Sequence, residues 1–166
     1  MSAFTSEILN NSNSDSSSNS DSNSKPKKLT RVIIHCDGAC SGNGQLNSSG
    51  GWAAIIKSPD YPNHAPKIVC GCEAGTTNNR MEMTAAIEAL KVLKYVCDVE
   101  IISDSQYLVN TMTKGWKRSK NIDLWQQLDD LLASSQHQVT WTWKKRNSTP
   151  ELEECDRLAK LESEKV

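Results

Sequence analysis

Residues 31–72, RVIIHCDGACSGNGQLNSSGGWAAIIKSPDYPNHAPKIVCGC, hold three strand-like runs with no room for a helix between them. The first, RVIIHCD (31–37), is rich in β-branched side chains and reads as a buried strand ending near Asp37. Gly38 to Gly51 contains five glycines among Ser and Asn and reads as a loop. WAAIIK (52–57) and KIVCGC (67–72) read as two more strands, separated by the turn-rich stretch Ser58–Pro66. Strands this close in sequence pair as hairpins, because a parallel return needs a crossover, usually a helix. The stretch therefore predicts an antiparallel meander.

Downstream the periodicity changes. Asn78 or Asn79 can cap a helix whose apolar positions Met83, Ala86, Ile87, Leu90 and Leu93 follow helical spacing. VEIIS (99–103) is a short strand, and Asp104 or Ser105 can cap a helix running to about Thr113. A basic turn leads into a helix from about Ile122 to Ala133, and QVTWTWK (138–144) alternates as a strand does. Thr149 as cap, Pro150 at the first helical position and acids at 151, 153 and 154 open a last helix. The order β-β-β-α-β-α-α-β-α predicts an α/β fold. Its five-stranded mixed sheet joins the three-stranded meander to two parallel strands, flanked by about four helices.

From Asn10 to Ser24 every residue is Ser, Asn or Asp, too polar to offset the entropy of ordering, so residues 1–28 read as a disordered tail. Residues 29–166 make one domain. The N-terminal residues lack the basic start and apolar run of a signal peptide, and nothing approaches a membrane span. The six cysteines follow neither a disulfide framework nor paired zinc spacing, which predicts reduced thiols, an intracellular and cytoplasmic protein and no membrane. Cys70 and Cys72 share a strand face, where packing is the expected role. A net charge of −1 speaks mildly against nucleic acid. Against it stand two basic runs, Lys114/Lys117/Arg118/Lys120 and Lys144/Lys145/Arg146, beside Trp116, Trp141 and Trp143. Cations interleaved with aromatics suit a nucleic-acid surface, with Trp116 as a candidate contact.

Four acids stand where packing alone would not put them. Asp37 and Asp104 end apolar strands, at the sheet edge where open α/β folds place their sites. Glu82 shares a helix flank with Ala85, Ala86 and Ala89, and Asp156 a stripe with Leu152, Cys155 and Ala159. Singly each has an ordinary explanation, a helix cap for Asp104 or a turn for Asp37. Four carboxylates converging on one edge repel unless cations neutralise them. Oxygen-only ligands favour magnesium, with manganese able to substitute, and two such ions ~4 Å apart suit in-line attack on a phosphodiester.

Asp37-Gly-Ala-Cys40-Ser-Gly42-Asn43, TTNNRME (76–82), DSQY (104–107), NIDLW (121–125) and ECDRLA (154–159) resemble the successive signatures of type 1 ribonuclease H, across about residues 31–163. The resemblance implies the ribonuclease H-like fold and a metal-dependent endonuclease that cuts the RNA strand of RNA–DNA hybrids, leaving 5′-phosphomonoesters. It implies that Asp37, Glu82, Asp104 and Asp156 hold two Mg2+ ions. It further implies that Asn78, Asn79 and Gln106 meet the hybrid in the minor groove, where the 2′-OH marks RNA, and that Asn43 and Thr77 grip a phosphate of the DNA strand. The resemblance implies the hybrid as partner, and a monomer is expected.

Three positions depart from the usual pattern. Arg146 stands where many members carry a histidine, Leu152 where an asparagine is common, and the basic protrusion is shortened to about Lys114–Lys120. Arg146 cannot exchange protons near neutrality but can act as a fixed positive charge at the catalytic site. A non-catalytic hybrid-binding module that retains the fold is the alternative reading. A transposase or exonuclease of the same superfold is a third, which TTNNRME with DSQY argues against.

Overall fold

The computed structural model describes residues 26–166, so the Ser/Asn/Asp run lies outside the described residues. The chain forms β1 (Thr30–Ser41), β2 (Ser49–Lys57), β3 (Lys67–Ala74), α1 (Asn78–Val92), β4 (Cys97–Ser103), α2 (Gln106–Lys114), α3 (Ile122–Ser135), β5 (Gln138–Trp143) and α4 (Pro150–Ser163). One five-stranded sheet runs β3-β2-β1-β4-β5. The meander pairs antiparallel, while β4 joins β1, and β5 joins β4, in parallel. The predicted architecture is the one observed.

Strand alternation divides the core between two faces. Val32, Ile34 and Cys36 of β1 point with Ala54, Ile56, Val99 and Ile101 to one side, where Met83, Ile87 and Leu90 of α1, Leu108 of α2 and Trp125 and Leu128 of α3 cover them. The opposite face holds a smaller cluster, Ala53 and Ile55 against Cys155 and Ala159 of α4. Each fully buried Leu or Ile is worth roughly 1.5–3 kcal/mol, so the larger cluster dominates stability while the smaller one chiefly docks α4. Among the described residues no helix is long and apolar enough to cross a membrane.

The structure corrects several boundaries. β1 does not end at Asp37: it pairs with β2 from Gly38↔Trp52 to Ser41↔Ser49, leaving only residues 42–48 as loop. Only Gly42 and Gly44 of the glycine-rich stretch take positive φ, 65° and 78°. The others lie in strand because helices press on them. A Cβ at Gly51 would stand 2.0 Å from the Ala159 carbonyl oxygen and 2.5 Å from the Ser163 nitrogen. Thr77, not Asn78 or Asn79, caps α1, its hydroxyl accepting from the Arg80 N–H at 3.2 Å. Ser105 caps α2 in the same way, and Thr149 with Pro150 opens α4 as expected. Cys70 and Cys72 are exposed rather than packed, because β3 is an edge strand and α4 lies mainly over β1 and β2.

Gly51→Ala should therefore destabilise the fold by at least about 2 kcal/mol, since backbone rather than a movable side chain blocks the methyl group. Urea unfolding of the two proteins measures it.

Candidate active site

The parallel ladder between β1 and β4 ends at Cys36↔Ser103. Beyond it β4 gives way to α2 while β1 continues, so Asp37 and Asp104 each follow the last pair and stand side by side. The third carboxyl arrives through a close helix approach. A Cβ at Gly38 would sit 2.5 Å from the Glu82 nitrogen and 2.6 Å from the Met81 carbonyl carbon, so only glycine admits α1 here. That contact sets Glu82 against Asp37. One carboxylate oxygen from each of Asp37, Glu82 and Asp104 lies within 4.8 Å of the others.

Their proton affinities follow from crowding. Burial, then the Asp104 charge, push Asp37 up to about 7, opposed by hydrogen bonds with Glu82 and the Gly38 N–H. Burial and the charges of Asp37 and Asp104 raise Glu82 well above the usual carboxylate range. Asp104 is raised by burial too, with Arg146 pulling it back down. Glu82 Oε2 is buried without a hydrogen-bond partner among the described residues. An all-oxygen cluster with an orphaned buried oxygen fits a hard divalent cation.

Asp156 is held differently. It is buried on α4, but its oxygens face cations: Oδ1 accepts from Arg146 Nη2 at 2.9 Å and Oδ2 from Lys160 Nζ at 2.8 Å. Burial raises its proton affinity, and the Lys160 hydrogen bond with the Arg146 charge more than offsets this, leaving it lowered. Asp156 thus stands outside the group of three. Leu152, where an asparagine was the usual residue, is buried in the core and takes no part in the site.

A cleft of about 580 Å³ opens over the cluster, lined also by Asn78, Asn79, Gln106, Tyr107, Arg146 and Lys160. Asn43 reaches it indirectly: its Oδ1 accepts from the Asn78 N–H at 2.8 Å, tying the β1–β2 loop to the start of α1. Thr77 neighbours Asn78 as the α1 cap. Trp116 is exposed between α2 and α3 and does not line the cleft. Arg118 of the same segment is committed internally, stacking over Trp125 at 4.7 Å and pairing with Asp129 at 2.6 Å. Lys160 was absent from the expected site residues, although its place four residues after Asp156, one helical turn on, is a signal for pairing.

The RNase H family model matches residues 29–164. The chain belongs to the ribonuclease H family. It is 45% identical over 145 residues to a ribonuclease H from Albidiferax ferrireducens, an alignment covering 79% of this chain and 93% of that one. Among solved structures it is similar to a type 1 RNase H with the type 2 active-site motif (TM-score 0.71, 26% identity, covering 82% of this chain and 74% of that one). A second similar structure is LC11-RNase H1 in complex with RNA/DNA hybrid (TM-score 0.69, 20% identity, covering 81% and 97%). The ribonuclease H family is metal-dependent, in keeping with the carboxylate cluster.

Carboxyl crowding has a stability cost that pH exposes. In the unfolded chain Asp37 releases its proton near 3.8, in the folded protein near 7. The stabilisation from retaining that proton is complete below about pH 4 and lost as pH rises through about 7. With divalent ions chelated, the melting temperature should fall between pH 5 and 8, and Asp37→Asn should flatten that fall. Calorimetry in EDTA at both pH values tests it; an unchanged slope in the variant would sink the assignment.

Proposed function

We propose that this ribonuclease H hydrolyses the RNA strand of RNA–DNA hybrids endonucleolytically, leaving 5′-phosphomonoesters, with Mg2+ as its metal and Mn2+ as a substitute. The observation that carries this is the Asp37–Glu82–Asp104 cluster in an open cleft lined also by Asn78, Asn79 and Gln106. A protein of similar fold is known in complex with an RNA/DNA hybrid. Reading these as a catalytic site, the four carboxylates of Asp37, Glu82, Asp104 and Asp156 hold two ions. Bound there, the ions supply Lewis acidity for activating water and for stabilising the leaving oxygen.

The remaining roles belong to side chains. Asn78, Asn79 and Gln106 both donate and accept hydrogen bonds, which suits sugar hydroxyls and groove edges of a hybrid lying across the cleft. Asn43 and Thr77 lie beside Asn78 and take a phosphate of the DNA strand. Lys114 at the end of α2, with Trp116, Lys117 and Lys120 in the exposed segment before α3, receive the flanking backbone and a sugar or base face. Arg146, at the cleft wall, adds fixed positive charge where the cleaved phosphate leaves. All six cysteines are free, which suits a reducing cytoplasm.

The test is an end-labelled hybrid incubated with and without Mg2+, beside duplex DNA and single-stranded RNA. Cleavage of the hybrid's RNA alone, and only with metal, is expected; binding without cleavage would instead favour the hybrid-binding module. Asp104→Asn should abolish turnover at saturating Mg2+ while leaving the fold intact.

Arg146→Ala should cut turnover by more than about tenfold, roughly 1.4 kcal/mol of transition-state stabilisation. Lys145→Ala should cost much less and act through salt-dependent binding. Equal small losses would reduce Arg146 to part of the basic surface.

A further inference from the structure

The fourth carboxylate differs from the other three in having its cations already. Asp37, Glu82 and Asp104 share a space with one buried oxygen unpartnered, whereas each oxygen of Asp156 accepts from a different basic side chain. The two basic groups come from different elements. Arg146 lies on the β5–α4 connection, and Lys160 stands one helical turn beyond Asp156 on α4. Both line the cleft, and their side chains are 59% and 56% exposed, against 10% for Asp156. The carboxylate is therefore fixed, while its cations can swing away without disturbing the core.

We propose that Arg146 and Lys160 clamp Asp156 and thereby control when it becomes a metal ligand. An ion at the Asp156 side must displace two paired side-chain cations, while one entering the three-carboxylate cluster breaks no such ion pair, Arg146 reaching Asp104 only through its charge. Loading is therefore ordered. The cluster takes its ion first, and Asp156 engages a second only by exchange. The exchange also frees a guanidinium and an ammonium into the cleft, where an entering phosphodiester is the anion that would receive them. Arg146 thus acts twice, first restraining Asp156 and then facing phosphate. Lys160 is a positioning residue that acts through Asp156.

This inference rests on the reading of the four acids as metal ligands, and the experiment separates the two. Mn2+ binding to the full chain, without nucleic acid, is followed by the electron paramagnetic resonance of free Mn2+ in wild type, Arg146→Gln, Lys160→Met, Lys145→Gln, Asp156→Asn and Asp104→Asn. Two phases are expected in wild type, the tighter one lost in Asp104→Asn and the weaker in Asp156→Asn. Arg146→Gln and Lys160→Met should each tighten the weaker phase by about three- to tenfold; Lys160→Met should leave the tighter one within about twofold, and Arg146→Gln, whose charge reaches Asp104, should tighten it less than the weaker one. Lys145→Gln removes the same charge nearby without touching Asp156 and should change neither. Equal weak-phase constants in wild type, Arg146→Gln and Lys160→Met would overturn the clamp, as would a shift of the same size in Lys145→Gln. The metal reading then survives on the Asp104→Asn result. Absence of saturable Mn2+ binding in wild type would overturn both.

Discussion

Asp37 and Glu82 are brought together by backbone and held there against their own repulsion. The Met81–Glu82 peptide lies where a side chain at position 38 would be, and α1 cannot retreat because Met83, Ile87 and Leu90 are buried beneath it. On the other face Gly51 admits α4 equally closely and so sets the depth of Asp156. Two glycines on neighbouring strands therefore determine where both helices, and both helical carboxylates, come to rest. Hydrophobic burial supplies the force, and the missing methyl groups direct it. A site assembled this way is positioned by the fold itself, as preorganised electrostatics require.

The carboxylates then divide by their surroundings. Asp37 and Glu82 are buried and Asp104 half-buried, and burial raises the proton affinity of all three. The fourth is ionised and already neutralised by Arg146 and Lys160. Similar side chains at one sheet edge thus hold opposite proton affinities, and the difference comes from which elements pack against each. Arg146 touches both sets, pulling Asp104 down while pairing with Asp156. A permanent cation at that position keeps its pairing with Asp156 across the range in which Asp37 titrates.

Much of this was legible in the chain itself. Strand spacing in residues 31–72 established the meander, and the switch to helical periodicity after Asn78 established the crossovers. Asp37, Glu82 and Asp104 were recognisable because acids at strand ends and on a small-residue helix flank make poor packing. What stayed hidden depended on distant partners. Gly38, Gly50 and Gly51 looked like loop because a glycine needed for helix approach and one needed for a turn are written alike. Cys70 and Cys72 alternate as buried residues would, yet burial there depends on whether a helix reaches the sheet edge. The Arg146–Asp156–Lys160 arrangement was half visible, as a helical i,i+4 pair, and half invisible, because Arg146 enters from a loop.

The order of strands also governs time. β1 meets β2 across the seven residues of 42–48, but it meets β4 through partners such as Arg31 and Asp98, 67 residues apart. Local hairpins pay their loop-closure entropy early, and the distant parallel alignment comes later. Asp104 joins Asp37 and Glu82 only when β4 seats against β1. A cation that grips them therefore stabilises the finished protein more than the barrier leading to it. Divalent ions should lengthen the lifetime of the folded chain and leave its refolding rate nearly untouched. Resistance to unfolding, and to any protease that waits for it, is then set by the ionic composition around the protein, while the speed of folding is set by chain topology alone.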